Sequence, residues 1–133
     1  MAGLVLKLAP HERLLINGAV IQNGARRGSL NIVTPGANIL RLRDAVHPGE
    51  ATTPARRLCY GMQLVLSGDT TLGDAAPELM AGLDDLAAAM CDGDSRRIIA
   101  EAKAALIARR TYQALRALRR LLPREDRALG KGA

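Results

Sequence analysis

Short apolar runs separated by turn residues fill residues 4–43 of this 133-residue chain. From Leu4 to Leu8, leucines alternate with Val5 and Lys7, which is the two-residue period of a β-strand. Asn17-Gly18 then separates two further apolar runs, and Asn-Gly is the strongest two-residue hairpin signal. Such runs recur at intervals of about ten residues or less, as in an all-β segment. The first third of the chain is therefore predicted to be a meander of short strands.

From residue 51 the apolar residues follow a helical period instead. Thr53-Pro54 is a favourable helix start, with Thr as the N-cap and Pro in the first turn. Gly68 is expected to end that helix. Three further apolar stripes predict three more helices, the last of which should stop at Pro123.

These patterns predict an α+β fold. A β-rich module would occupy residues 1–50. About four α-helices would follow in residues 51–125, and residues 126–133 would form a flexible tail.

Charge is distributed unevenly along the chain. Residues 1–57 hold eight basic and three acidic side chains, residues 58–95 hold seven acidic and no basic ones, and residues 96–133 hold eleven basic and three acidic ones. A polyanion would be attracted to both ends and repelled by the middle. The acidic segment can equally neutralise the basic ones within the fold or across a dimer, and the two interpretations are compatible.

Aromatic residues are scarce, with no Phe, no Trp and two tyrosines, Tyr60 and Tyr112. Proteins that hold single strands by base stacking need aromatic platforms. This class is therefore excluded, and any RNA binding must use Arg and Lys side chains, backbone groups and shape.

Basic side chains at strand ends and in one loop are the first candidate contacts for a polyanion such as RNA. Lys7 lies in the first predicted strand, and Arg41 and Arg43 share one face of the last. Charges at alternate strand positions are more commonly a solvated face. Arg26 and Arg27 lie in a Gly-flanked loop and can clamp phosphates, although a simple exposed pair is the commoner case.

A second basic group lies in the last predicted helix. Arg116 and Arg120 share a face with Arg109, opposite a leucine stripe. Three interpretations stay open: a solvated amphipathic face, phosphate binding, and docking on an acidic partner or on the acidic second helix.

No motif points to catalysis or metal binding. The sequence lacks a Gly-rich phosphate loop, metal-ligand spacing and any supported nucleophile–base pairing. Cys59 and Cys91 stand alone and are expected to be reduced, buried thiols. We interpret the chain as a non-enzyme without cofactor, catalytic residues or metal site.

Two further patterns bear on location. No apolar run approaches the ~20 residues of a membrane span, and the N-terminus lacks the pattern of a secretory signal. A cytoplasmic protein without membrane contact is therefore expected.

Several collinear blocks resemble the FlbT family of flagellin mRNA regulators. They read LVLKLAPHERLLINGAVIQNG, LNIVTP, ILRLRDAVHP, TPARRLCY, QLVLSGD and YQALRALRRLLPRE, and together they span nearly the whole chain. The resemblance implies a post-transcriptional repressor that associates with the 5′ untranslated region of flagellin mRNA. Such a protein represses translation and promotes mRNA decay, which couples flagellum assembly to filament synthesis.

The strand module also resembles the carbon storage regulator family (CsrA/RsmA), homodimers of five-stranded chains that bind GGA-containing loops in messenger leaders. The matching residues are a Leu-x-Leu first strand, Glu12 followed by an apolar triplet, and Arg43-Asp44 after the last strand. This chain has Leu8-Ala9 where that family has a basic pair. The resemblance implies that residues 1–50 form a barrel-like, RNA-binding module. It favours Arg43, with Arg41 beside it, over Lys7 as an RNA contact.

The alternative class is a protein-binding adaptor whose effect on RNA is indirect. Its partner would be flagellin or a FlaF-type flagellar co-regulator, as the family resemblance implies. The acidic second helix and a tetratricopeptide-like pattern from Tyr112 to Pro123 favour this class. In either class, short strands with exposed edges need cover, so we expect a homodimer or higher oligomer.

Overall fold

A computed structural model describes residues 4–34 and 36–130 of the chain. Within these ranges five short strands precede five α-helices, which confirms the predicted α+β class. The strands are β1 (Leu4–Leu8), β2 (Arg13–Ile16), β3 (Ala19–Gln22), β4 (Gly28–Ile32) and β5 (Ile39–Arg41). The helices are α1 (Pro54–Ser67), α2 (Leu72–Ala89), α3 (Gly93–Ile107), α4 (Thr111–Arg119) and α5 (Leu122–Ala128).

The strands form two small antiparallel sheets rather than one meander. β1 pairs with β4, and β2 lies between β3 and β5. The β2–β3 hairpin turns at Asn17 and Gly18, whose φ values of 50° and 84° fit the type I′ turn that Asn-Gly favours. The other two pairings join strands that are distant in sequence. They bring the loop before β4 and the end of β5 close to β1.

The last strand ends earlier than the alternation predicts. β5 stops at Arg41, and Leu42–Asp44 form a 3₁₀ turn. All three β5 residues are buried, because β2 pairs with this strand and α1 packs against it. The expectation that Arg41 and Arg43 share one strand face is therefore wrong: Arg41 is 5% exposed and the Arg43 side chain 59%.

The first helix, α1, begins and ends where the sequence predicts. The Thr53 hydroxyl accepts a hydrogen bond from the Arg56 amide at 3.3 Å, and Gly68 ends α1 with a φ of 88°. α4 packs between α1 and α3. Its leucine face is fully buried, whereas its arginines face outward or toward the 42–50 segment.

The C-terminal segment differs from the prediction. α4 ends at Arg119, and Pro123 lies in the first turn of a fifth helix instead of stopping the fourth. Proline fits there because the first turn of a helix needs no backbone donor at that position. Residues 126–128, expected in a flexible tail, are helical, and residues 131–133 lie outside the described residues.

One hydrophobic cluster joins the strands to the helices. It contains Leu6 and Leu14 from the sheets together with Met62 and Leu115 from α1 and α4. The Gln63 side chain also accepts a hydrogen bond from the Val46 amide at 2.7 Å and donates one to its carbonyl at 3.1 Å. The β-rich end is thus fixed on α1 and can hold surface side chains in defined positions.

The two cysteines differ in burial. Cys59 is buried, and burial raises the pKa of its thiol to about 12, but Cys91 is exposed, contrary to the expectation that both would be buried. Among the described residues no three His, Cys, Asp or Glu side chains are grouped so as to hold a metal ion. None of the helices in this part of the chain is both long and apolar enough to cross a bilayer.

Candidate nucleic-acid interface

A basic cleft lies where the two sheets meet at the β-rich end. Its volume is about 610 Å³, within the ~300–1,000 Å³ typical of ligand sites. The β1–β4 register places Lys7 opposite Ser29 and Leu8 opposite Gly28, so Arg27, just before β4, comes close to Lys7. The 3₁₀ turn after β5 adds Arg43. Three exposed cations from distant parts of the sequence therefore line one cleft: Lys7, Arg27 and Arg43.

Arg41 borders the same cleft but is committed to an internal ion pair. Its Nε donates to Glu12 Oε2 at 2.7 Å, and its Nη2 donates to Glu12 Oε1 at 2.8 Å and to the Lys7 carbonyl at 2.6 Å. A buried guanidinium with these partners does not suit the base contact expected from the sequence. Its role is to hold β1 against the 9–12 turn.

Glu12 is the acidic half of this pair. Its side chain is 7% exposed, and its Oε1 also accepts a hydrogen bond from the Ala9 amide at 2.9 Å. The hydrogen bond from Arg41 is the main cause that lowers the Glu12 pKa from 4.5 to about 2, against the opposing effect of burial. The same bond raises the pKa of Arg41. Both groups are therefore charged at neutral pH, and Arg43 Nε lies 3.9 Å from the same carboxylate.

Asn23 fixes the basic loop beside the cleft. Its Nδ2 donates to the carbonyls of Ala9 and Arg26, each at 2.8 Å, and its backbone amide donates to the Glu12 carbonyl at the same distance. This ties the loop of Arg26 and Arg27 to the turn that also carries Glu12. Arg26 is exposed next to the cleft, whereas Arg27 lines it.

The C-terminal arginines lie outside this cleft. The Arg116 guanidinium lies 5.8 Å from the centre of the Tyr112 ring, and Arg120 pairs with Glu101 at 3.0 Å on an exposed surface. Arg109, expected on the same helical face, lies in the turn between α3 and α4 with a φ of 60°. The structure therefore does not bring Arg116 and Arg120 together with Lys7, Arg27 and Arg43 in one cavity.

Part of the acidic segment is neutralised within the fold. Asp84 on α2 pairs with Lys103 on α3, and Arg124 lies 3.2 Å from Asp92 and 3.6 Å from Asp94. These pairs connect the acidic middle of the chain to its basic C-terminal part. The cations of the cleft lie at the β-rich end, away from these pairs.

Two residues that organise the cleft were not identified as functional from sequence. Glu12 acts through Arg41, which the β2–β5 pairing brings close, and Asn23 acts through Ala9 and Arg26 beside the β2–β3 hairpin. The one available signal was a lone carboxylate just before an otherwise apolar and basic strand. It shows that Glu12 needs a cation, but not which one.

The fold and the cleft define a small α+β protein whose β-rich end concentrates positive charge around a buried ion pair. The family model described as "Flagellar protein FlbT" matches residues 4–129 of the chain. The chain belongs to the FlbT family.

Full-length relatives agree with this assignment. A probable flagellum biosynthesis repressor protein FlbT from Caulobacter sp. (strain K31) is 33% identical over 127 residues, which is 96% of each chain. The flagellum biosynthesis repressor protein FlbT of Caulobacter vibrioides (strain ATCC 19089 / CIP 103742 / CB 15) is 31% identical over 96% of this chain and 89% of its own. A probable FlbT repressor of Mesorhizobium japonicum is 29% identical over 96% of this chain and 85% of its own. No solved structure matches the chain.

Proposed function

We propose that this chain represses flagellum biosynthesis by binding the 5′ untranslated region of flagellin mRNA in the basic cleft. The observation that supports this most directly is the convergence of Lys7, Arg27 and Arg43 on one cleft from three separate segments. Exposed cations on a rigid frame can neutralise phosphates, and a guanidinium can also form paired hydrogen bonds with a base edge. The names of the relatives support repression, and the messenger target is implied by the family resemblance.

The three cations of the cleft have two different roles, phosphate attraction and base recognition. Lys7 lies within the β1–β4 ladder and Arg27 just before β4, and both are suited to backbone phosphates because their charges are exposed to solvent. The Arg43 side chain is 59% exposed with its Nε 3.9 Å from Glu12 Oε2, and its planar guanidinium is suited to a paired contact with a base edge. Binding at the leader would obstruct ribosome loading and expose the message to decay without any cleavage by this protein.

A gel-shift assay of the purified chain on a flagellin leader transcript and a scrambled RNA tests this proposal. Tighter binding to the leader, with affinity that falls as salt rises, is the expected result. The adaptor alternative, with flagellin or a FlaF-type co-regulator as the partner, predicts no difference between the two RNAs. Absence of salt dependence would rule out direct electrostatic binding.

Replacing Arg116 and Arg120 by Gln should weaken binding to all RNAs about equally. The two side chains are exposed and lie outside the cleft, so any contribution is general phosphate attraction. The slope of log affinity against log salt should flatten by about 0.7 for each phosphate of a single strand that the variant no longer neutralises. A selective loss of leader binding in this variant would place specificity on α4 instead of the cleft.

We also propose that the chain forms a homodimer or higher oligomer through its sheet edges. β1, β3, β4 and β5 each have an edge without a strand partner among the described residues, and Val20 on β3 is 66% exposed. Exposed apolar edges are normally covered. Sedimentation at micromolar concentration should show a dimer that Val20→Lys dissociates, and a stable monomer would contradict this.

A further inference from the structure

An open groove runs between α1 and α2, on elements that contribute nothing to the basic cleft. Its volume is about 660 Å³, and its walls are mainly apolar. Leu58 and Leu64 line it from α1, and Ala75, Leu79 and Leu86 line it from α2. Leu58 and Leu64 are only partly buried within the fold.

Two glycines shape the floor of the groove. A Cβ atom at Gly82 would lie 2.5 Å from Leu58 Cδ2, and one at Gly61 would lie 3.0 Å from Leu79 Cδ2. Each leucine therefore lies in space that a side chain on the facing helix would otherwise occupy. The two helices are in close contact at the floor of the groove, and the space above them forms its elongated apolar trough.

One wall of the trough carries an acidic stripe. Asp74, Glu78 and Asp85 line the groove from α2, at spacings of four and seven residues that place them on one face. At 1.5 Å per residue they extend over about 16 Å, or three helical turns. None of them forms an ion pair with another described residue, whereas the adjacent Asp84 pairs with Lys103. Arg57 lines the groove as well, so the lining keeps a net negative charge.

We propose that this groove docks an amphipathic α-helix of a partner protein, with Lys or Arg residues flanking its apolar stripe. An apolar trough of this length matches the helix-in-groove mode, in which residues at i, i+4 and i+7 enter the groove. The three carboxylates complement cations at similar spacing on the incoming helix. They also repel RNA, so the occupant is a protein segment and the groove is independent of the messenger site.

Fluorescence anisotropy with designed peptides tests the proposal on the full chain. The probe is a labelled amphipathic helix with a leucine stripe flanked by lysines. One control peptide has Glu in place of each lysine, and another has Ser in place of each leucine. The lysine–leucine peptide should bind, and each control should bind at least about tenfold more weakly, because it lacks either the ion pairs or the apolar contact.

A charge-matched pair of variants identifies the groove as the binding site. Asp74→Asn, Glu78→Gln and Asp85→Asn together should weaken the lysine–leucine peptide by about tenfold, since three exposed ion pairs no longer form. Asp69→Asn, Asp84→Asn and Asp94→Asn together remove the same charge outside the groove and should leave binding unchanged. Equal effects of the two triples, or equal binding of all three peptides, would overturn the proposal. Self-association that the groove triple abolishes would also overturn it, because the occupant would then be a second copy.

Discussion

Glu12→Gln should destabilise the protein by about 3–5 kcal/mol, because it breaks a buried ion pair. The variant leaves Arg41 buried at 5% exposure with its principal anionic partner removed. The lowering of the Glu12 pKa from 4.5 to about 2 gives a similar figure of about 3 kcal/mol at neutral pH. Urea unfolding at neutral pH measures the loss. Glu101→Gln, which removes an exposed partner of Arg120, is the matched control and should change stability by less than about 0.5 kcal/mol.

The Glu12–Arg41 pair makes the free energy of unfolding depend on pH. Because the folded-state pKa of Glu12 is depressed, its contribution is fully present above pH 4.5 and disappears as pH falls toward 2. The difference in unfolding free energy between the wild type and Glu12→Gln should therefore shrink over that window. A difference that stays constant from pH 5 to pH 2 would contradict the assignment of the stabilising effect to the Glu12 carboxylate.

Replacing Lys7, Arg27 and Arg43 by Gln together should weaken binding to the flagellin leader by about a hundredfold. Removal of each phosphate or base interaction is expected to cost about 1 kcal/mol or more. The slope of log affinity against log salt should flatten by about 1.4, at about 0.7 for each of the two phosphates that Lys7 and Arg27 neutralise. All three side chains are exposed, so the fold should be retained, and circular dichroism can check this. Fluorescence anisotropy over a salt series on the leader and on a scrambled RNA is the measurement.

A control variant must show whether the loss of affinity comes from the cleft or only from the lower net charge. Arg97, Arg110 and Arg127 are exposed and lie outside the cleft, and their combined replacement by Gln removes the same charge. This control should lose only the weak, sequence-independent part of binding. Equal losses in the two triple variants would mean that the cleft is not the site. Arg41 is left out of both sets, since its replacement would disturb the fold and confuse stability with affinity.

Local signals were sufficient for most of the secondary structure. Asn17-Gly18 adopts the positive φ values that its hairpin needs, and Thr53-Pro54 and Gly68 begin and end α1. These features depend on neighbouring residues, so sequence determines them. The prediction was wrong at Pro123, because a proline that ends one helix is equally compatible with the first turn of the next. Only the packing of the final turns distinguishes the two.

For the candidate site, the sequence identified the type of contact residue but not where each residue lies. Charge segregation and the lack of aromatics were read directly from the sequence, and they selected Arg and Lys as the candidate contacts. The alternation around Arg41 and Arg43 suggested equivalent roles, yet the structure separates them. Arg41 lies opposite Leu14 in the β2–β5 ladder and reaches Glu12, whereas Arg43 follows in a 3₁₀ turn that exposes it.

The sequence by itself determined the α+β class, the helix and hairpin boundaries near strong local signals, and the sign of charge in each segment. The tertiary structure decided which charges meet. It placed Arg27 beside Lys7 through the β1–β4 register, paired Arg41 with Glu12, and set the acidic stripe of α2 over an apolar trough. The physical reason is that turn and cap preferences act over a few residues, whereas ion pairs and clefts depend on contacts between segments far apart in the chain.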